Sequence, residues 1–323
     1  MTATVVSLGD RYDVHGVGIE IHALDPAVMR ALELRLRDFR STADVPEPIR
    51  LEFITEPPQP PVGAGRPVYD TPDGSLHYFP ADDLLYGELG GVTLRCDVGR
   101  GVARLHSPEF SGRRLYLATH PLVTVSLMEL LERRGLFSLH AGCLAGAGGH
   151  GVLLAGPSGA GKSTLALALA RAGMRFLSDD VVFLAHDGDR VVRACGFADT
   201  IGITADTAGR FTELRTRISE PESDGFPKRL ARIEDLFGAS GDRVCDPQAL
   251  VFPQVTADQP SQIAPLDPGA ALLRLVPDVL LTEPAATQAH LGVIAVLLEQ
   301  VRCYTLGSGT DIGRAAELVQ ALI

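Results

Sequence analysis

Apolar and polar residues alternate along several short segments in the first third of the chain. The clearest is 15–24 (HGVGIEIHAL), whose period of two is typical of a half-buried β-strand. Further short strands are predicted at 49–54, 75–79, 92–96 and 102–106. One helix is predicted over 27–39, because Asp25 suits its N-cap and Pro26 its first turn. Residues 1–118 are therefore predicted to form a small α+β accessory domain.

From residue 119 the pattern changes to longer apolar runs between amphipathic helices. A helix is predicted over 120–134, followed by strands at 136–144 and 151–155 that a glycine-rich hairpin turn connects. The later elements are predicted as helices over 162–172, 268–276, 288–300 and 311–322 and strands over 174–177, 181–185, 191–203, 249–255 and 302–306. Residues 205–236 are polar and irregular, which is typical of site loops. An α/β domain over 119–323 is the prediction.

Charge and cysteine content narrow the class of protein. The chain has 323 residues, a formal net charge of −11 and a sequence pI of about 5.3, and it has no dense basic block, so nucleic acid is not an expected partner. Its five cysteines are scattered and form no C-x-x-C pair, so they predict small apolar side chains in a reducing compartment. We read neither a signal peptide nor a membrane span, so a cytoplasmic protein without a membrane partner is expected.

The strongest motif lies between the apolar run 151–155 and the predicted helix 162–172. It matches G-x-x-x-x-G-K-[ST] (Walker A), in which loop amides and the helix N-terminus bind phosphate. Lys162 would supply charge to the outer phosphates, and the Ser163 hydroxyl would bind Mg²⁺. The predicted nucleotide-binding residues are Gly156, Pro157, Ser158, Gly159, Ala160, Gly161, Lys162, Ser163 and Thr164. ATP and Mg²⁺ are the expected cofactors.

Two adjacent acids follow at the end of the next predicted strand, in Ser178-Asp179-Asp180. A carboxylate there can hold Mg²⁺ or accept a proton from an attacking hydroxyl, and neighbouring side chains on a strand point to opposite faces. Asp179 is predicted on the metal side. His140, one strand before the P-loop strand, fits either a packed histidine or a phosphate contact.

The stretch from Leu139 to Leu184 resembles the catalytic domain of HPr kinase/phosphorylase. Its segments LHAG, GPSGAGKS, ARAG and FLSDD follow in that family's order, over about 45 residues. The resemblance implies a P-loop kinase domain of HPr kinase type, with His140, Lys162 and Asp180 as catalytic residues. Asp180 matches the residue that accepts the proton of a substrate serine.

Two later motifs of the resembled family have no counterpart in this chain. The region after the acids reads GFADTIG over 196–202 in place of an E-x-R-G-like motif, and no G-R-N-type motif follows. The likeness is therefore closer to HPr-kinase-related proteins encoded with peptide-modification systems, which implies a serine kinase without the reverse phosphorylase activity. Lys228 and Arg229 are weaker candidates for a cation near the phosphoryl group, and Asp199 and Asp206 for a further metal ligand.

These observations together predict an ATP- and Mg²⁺-dependent kinase. Its expected acceptor is a serine hydroxyl of a peptide or small protein, which the accessory domain could dock by strand addition. Two alternatives stay open at this point: a regulator that binds ATP without transferring phosphate, and a small-molecule kinase. The oligomeric state is also open, with a homo-oligomer among the options.

Overall fold

The computed structural model describes residues 8–186, 191–197, 200–211, 214, 229–237, 242–256, 259–279 and 282–323. The described residues divide into two compact units. The first unit comprises those up to Gly135 and those within Leu280–Gln288; the second comprises those of Leu136–Pro221, Phe226–Val279 and Ala289–Ile323. The boundary predicted between residues 118 and 119 falls inside the first unit, where Arg133 pairs with Asp83 at 3.1 Å.

An eight-stranded sheet forms the first unit. Its strands are β1 (Leu8–Val14), β2 (Val17–Ala23), β3 (Ile49–Ile54), β4 (Arg66–Thr71), β5 (Gly74–Phe79), β6 (Leu84–Leu89), β7 (Val92–Asp97) and β8 (Val102–His106). Their spatial order is β1-β2-β3-β8-β7-β6-β5-β4, with β2, β3 and β8 parallel. The predicted strands are confirmed. The prediction missed β1, β4 and β6, and of these β4 is an edge strand without a buried alternate face to impose a period of two.

Helical segments complete the first unit. Helix α1 (Pro26–Leu36) begins at the predicted Asp25 cap, whose Oδ1 accepts from the Ala27 amide at 2.8 Å. The helix predicted over 120–134 is longer and is interrupted: α2 (Gly112–Leu117) passes through a π-helical turn (Ala118–Leu122) into α3 (Val123–Glu132). Pro121 lies inside the π-helical turn, where its missing N–H breaks the regular α-helical hydrogen bonding.

The second unit contains a nine-stranded sheet and a separate two-stranded sheet of β15 and β16. The strands are β9 (Leu136–Leu139), β10 (Ala141–Ala145), β11 (His150–Ala155), β12 (Arg175–Ser178), β13 (Val182–His186), β14 (Val192–Gly196), β15 (Thr200–Ile203), β16 (Arg229–Arg232), β17 (Val244–Val255), β18 (Gln262–Pro265) and β19 (Arg302–Ser308). Strands β11, β17 and β19 are parallel, so their carboxyl ends lie at one edge. The P-loop lies at that edge, which is where ligand sites of open α/β sheets usually occur.

The strand predicted over 136–144 is two strands, and the prediction of one element was wrong. β9 pairs with β13, whereas β10 pairs with β11 and β12. The two halves of the apolar run therefore lie against different neighbours, and His140 is the residue between them. A continuous apolar run carries no signal for such a change of partner.

Helices cover both faces of the nine-stranded sheet. They are α4 (Lys162–Arg171), α5 (Ala205–Arg210), α6 (Ile233–Phe237), α7 (Pro268–Leu275), α8 (Pro284–Gln300) and α9 (Ile312–Gln320). One apolar cluster joins the sheet to α7 and α8, and another joins it to α4 and α9. The segment 205–236, predicted to be irregular, includes α5, β16 and most of α6 in its described residues. The predicted α/β class is confirmed.

All five cysteines are buried free thiols, as their scattered positions predict. Cys143 and Cys245 meet in the core with 3.5 Å between their Sγ atoms, and this contact, together with burial, raises the pKa of the Cys143 thiol well above its ordinary value. Burial also raises the pKa of Cys195 to about 12. The thiols of Cys143 and Cys195 therefore stay protonated, and all five cysteine side chains pack as small apolar groups. No helix in the described part of the chain has the length and apolar character to cross a bilayer.

Candidate functional site

The P-loop lies where β11 ends at Ala155 and α4 begins at Lys162. Gly156 and Gly161 have φ angles of 138° and 98°, a region that L side chains rarely adopt. Gly161 is the N-cap of α4, and no side chain occupies the cap position. The loop therefore curls before the helix, and its backbone amides and the helix N-terminus form a concave site suited to phosphate.

Lys162 folds back across this loop, and only 8% of the residue is exposed. Its ammonium donates to the carbonyl oxygens of Gly156 and Pro157, the latter at 3.3 Å. Nζ also lies 3.2 Å from Nε2 of His140. A buried ammonium costs free energy unless several acceptors compensate it, and these three contacts hold the charge over the loop.

The two adjacent acids lie in the bend between β12 and β13 and face different partners. Asp179 is buried, and its Oδ2 accepts from Ser163 Oγ at 3.0 Å and from the Gly202 amide at 3.3 Å. Asp180 has 63% of its side chain exposed, and its Oδ1 lies 3.2 Å from Nδ1 of His140. The structure therefore brings together His140, Lys162, Ser163 and both acids. The histidine reaches the loop because it occupies the change of partner between β9 and β10.

The sequence analysis missed the contribution of residues 200–207. Gly202 donates its amide to Asp179, and Thr207 hydrogen-bonds through Oγ1 with Oγ1 of Thr164 at 2.8 Å. Neither residue belongs to a recognisable motif, and the Gly202 contact depends on the packing of β15 beside α4. No pattern in the sequence signals this arrangement.

Of the weaker candidates, Asp206 is the one whose side chain the structure describes. Asp206 is exposed and pairs with Arg210 at 3.1 Å, one turn further along α5. Asp199 and Lys228 lie outside the described residues, as does the side chain of Arg229.

The donor set of Ser163 and Asp179 suits a hard cation. Both residues offer oxygen, and Mg²⁺ typically takes one or two protein oxygens beside waters and substrate phosphates. No group of three or more His, Cys, Asp or Glu side chains among the described residues could hold a metal ion unaided. A metal held by Ser163 and Asp179 would complete its coordination with waters and phosphate oxygens.

The amino-acid sequence was compared with those of known proteins and protein families. No protein-family model matches the chain. The HPr kinase/phosphorylase of Chlorobium phaeobacteroides (strain BS1) is 36% identical over 67 residues, which are 21% of this chain and 20% of that protein. This match supports an HPr kinase-like family. The aligned segment spans about a fifth of the relative's length.

A solved structure was also matched, the Hpr(Ser) kinase/phosphatase from Coxiella burnetii. The alignment covers 57% of this chain and 87% of that chain, at 16% sequence identity and a TM-score of 0.31. The α/β class of this chain rests on its own sheets and helices.

Proposed function

We propose that this protein binds ATP and Mg²⁺ at the P-loop and transfers the γ-phosphate to a hydroxyl, that of a serine in a peptide or small protein. The observation that carries the proposal is that two adjacent acids contact different partners. Asp179 contacts the hydroxyl of Ser163, and Asp180 contacts the imidazole of His140. A metal-side acid and an acceptor-side acid are what a hydroxyl kinase requires.

Binding of ATP falls to the loop amides between Gly156 and Thr164 and to Lys162. The ammonium would keep its contact with His140 and exchange carbonyl oxygens of the loop for phosphate oxygens, which are stronger acceptors because they are charged. Ser163 and Asp179 would hold Mg²⁺ through their oxygens. When bound, Mg²⁺ supplies positive charge that neutralises the phosphates and the charge of the transition state.

Asp180 and His140 would carry out the transfer of the γ-phosphate. The acceptor oxygen would attack the γ-phosphorus, its proton would pass to the Asp180 carboxylate, and the bond from phosphorus to the β–γ bridging oxygen would break to release ADP. Asp180 is exposed enough to meet an incoming hydroxyl. His140 orients that carboxylate and connects it to Lys162.

A protein-borne serine is supported by the sequence resemblance and by the kinase name of the curated relative. We further propose that transfer runs only forward, because the two later family motifs are missing, and that the protein works in the cytoplasm. We keep two further predictions: residues 1–118 dock the acceptor, and the protein is a homo-oligomer.

The proposal is tested with labelled ATP and the peptides and small proteins encoded beside this chain. We expect label on a serine with the wild type and none with Lys162→Ala, which should also lose most of the thermal stabilisation that ATP and Mg²⁺ give. Arg314→Ala, an exposed cation of α9, is the control and should behave as wild type. Label on a free small molecule would instead favour a small-molecule kinase, and stabilisation without any label would favour a regulator.

A further inference from the structure

Three threonine hydroxyls connect the P-loop helix to the segment that follows β15. Thr207 Oγ1 lies 2.8 Å from Thr164 Oγ1 and 3.1 Å from Thr204 Oγ1. Thr207 is buried, with 4% of its surface exposed. The cap of α5 does not need this hydroxyl, because Thr204 Oγ1 already accepts from the backbone amide of Thr207. The Thr207 hydroxyl is therefore free to fasten α5 to α4.

The same segment contacts the proposed metal ligand at its other end. The amide of Gly202 donates to Asp179 Oδ2 at 3.3 Å, the oxygen that also accepts from Ser163. Ile201 and Ile203, on either side of Gly202, are buried in the apolar cluster that contains Leu165 of α4. Packing brings β15 to the helix, but apolar contacts are non-directional and tolerate small shifts. A hydrogen bond at 3.3 Å is near the upper limit of its distance range, so it does not tolerate small shifts of its partners.

We propose that Thr207 is a positioning residue for Mg²⁺: its hydroxyl holds the β15–α5 segment so that the Gly202 amide fixes the orientation of the Asp179 carboxylate. The inference rests on the proposed function. Thr207 lies outside the proposed ligand pair of Ser163 and Asp179 and acts through Gly202 and Asp179. Partners that orient a metal ligand commonly change metal affinity by about tenfold or more when they are removed.

The test uses Thr207→Val, which replaces the hydroxyl with a methyl of similar shape, and Thr207→Ser, which keeps the hydroxyl. Thr305→Val, on β19, is the control for the loss of a threonine hydroxyl elsewhere in the unit. Mg²⁺ is titrated at saturating ATP with the melting temperature as readout, and ATP affinity is measured separately in EDTA. Thr207→Val should need about tenfold more Mg²⁺ for half-maximal stabilisation. Its affinity for ATP in EDTA should stay within about twofold of wild type, and Thr207→Ser should restore the wild-type Mg²⁺ response.

An unchanged Mg²⁺ midpoint in Thr207→Val would overturn the proposal. So would an equal loss of ATP affinity in EDTA, because a merely structural role would damage the loop with or without metal. If Thr207→Val does not fold, Thr207→Ala provides the same comparison with a smaller side chain. A wild type that binds ATP in EDTA but ignores Mg²⁺ would overturn this proposal alone, whereas a wild type that binds no ATP would overturn the proposed function with it.

Discussion

His140 Nε2 lies 3.2 Å from Nζ of Lys162. Because an ammonium has only hydrogens to offer, Nε2 must present its lone pair to Lys162, and the ring proton of a neutral imidazole is then on Nδ1. Nδ1 faces Oδ1 of Asp180 at 3.2 Å, so it donates to that carboxylate. The contact with Lys162 thus fixes the tautomer that orients Asp180.

Replacing His140 should separate transfer from binding. His140→Gln removes the aromatic bridge between Lys162 and Asp180, and we expect the transfer rate to fall by about 10²-fold while ATP affinity changes little. Measured kcat and KM for ATP check this, with His150→Gln, at the exposed start of β11, as the control. A proportional loss of ATP affinity would mean that His140 serves the nucleotide instead.

The two adjacent acids should respond differently to neutralisation. Asp180→Asn removes the proposed proton acceptor, so the rate should fall by about 10²-fold or more at an unchanged Mg²⁺ requirement. Asp179→Asn removes the charge beside Ser163, so the Mg²⁺ concentration for half-maximal rate should rise. A titration of Mg²⁺ against rate in both variants decides between them. Identical profiles would show that the acids share their roles.

Gly161→Ala should damage the loop itself. At φ = 98° an alanine costs about 1–2 kcal/mol, and its Cβ would lie 3.3 Å from Cγ2 of Val255. We expect a lower melting temperature and weaker ATP binding. Gly313→Ala is the matched control: it lies in α9 with open space around the new Cβ and should raise stability by about 0.5–1 kcal/mol. Normal ATP binding by Gly161→Ala would argue against this loop as the phosphate site.

The first unit should lose stability as the pH rises from about 4.5 to about 7. Burial, with the neighbouring charge of Glu132, raises the pKa of Glu129 from 4.5 to about 7, against the opposing hydrogen bonds from Thr282 and Arg133. An acid with a raised folded pKa binds more protons folded than unfolded, so its contribution is complete below pH 4.5 and lost between about pH 4.5 and 7. The loss amounts to roughly 3 kcal/mol at most.

Glu129→Gln removes this titration while keeping the shape of the side chain. Relative to wild type, the free energy of unfolding of the variant should therefore increase between pH 5 and pH 8. Urea denaturation at both pH values measures it, with the exposed Glu109→Gln as control. A difference between the variant and wild type that does not change with pH would contradict the assignment.

The sequence by itself determined the elements whose local pattern is strong. The strand alternation at 15–24, the cap at Asp25, and the P-loop between an apolar strand and a helix are all present in the structure. Each depends on residues within one or two turns of chain, where side-chain period and capping chemistry act directly. The acids after β12 were likewise placed by spacing alone.

Only the tertiary structure decided which of these residues meet. The run 136–144 divides because its halves have different partner strands, and that division puts His140 between Lys162 and Asp180. Gly202 and Thr207 reach Asp179 and Thr164 across 23 and 43 residues of chain. Such contacts follow from long-range packing of β15 and α5 beside α4, for which a sequence without a recognised motif at those positions carries no local signal.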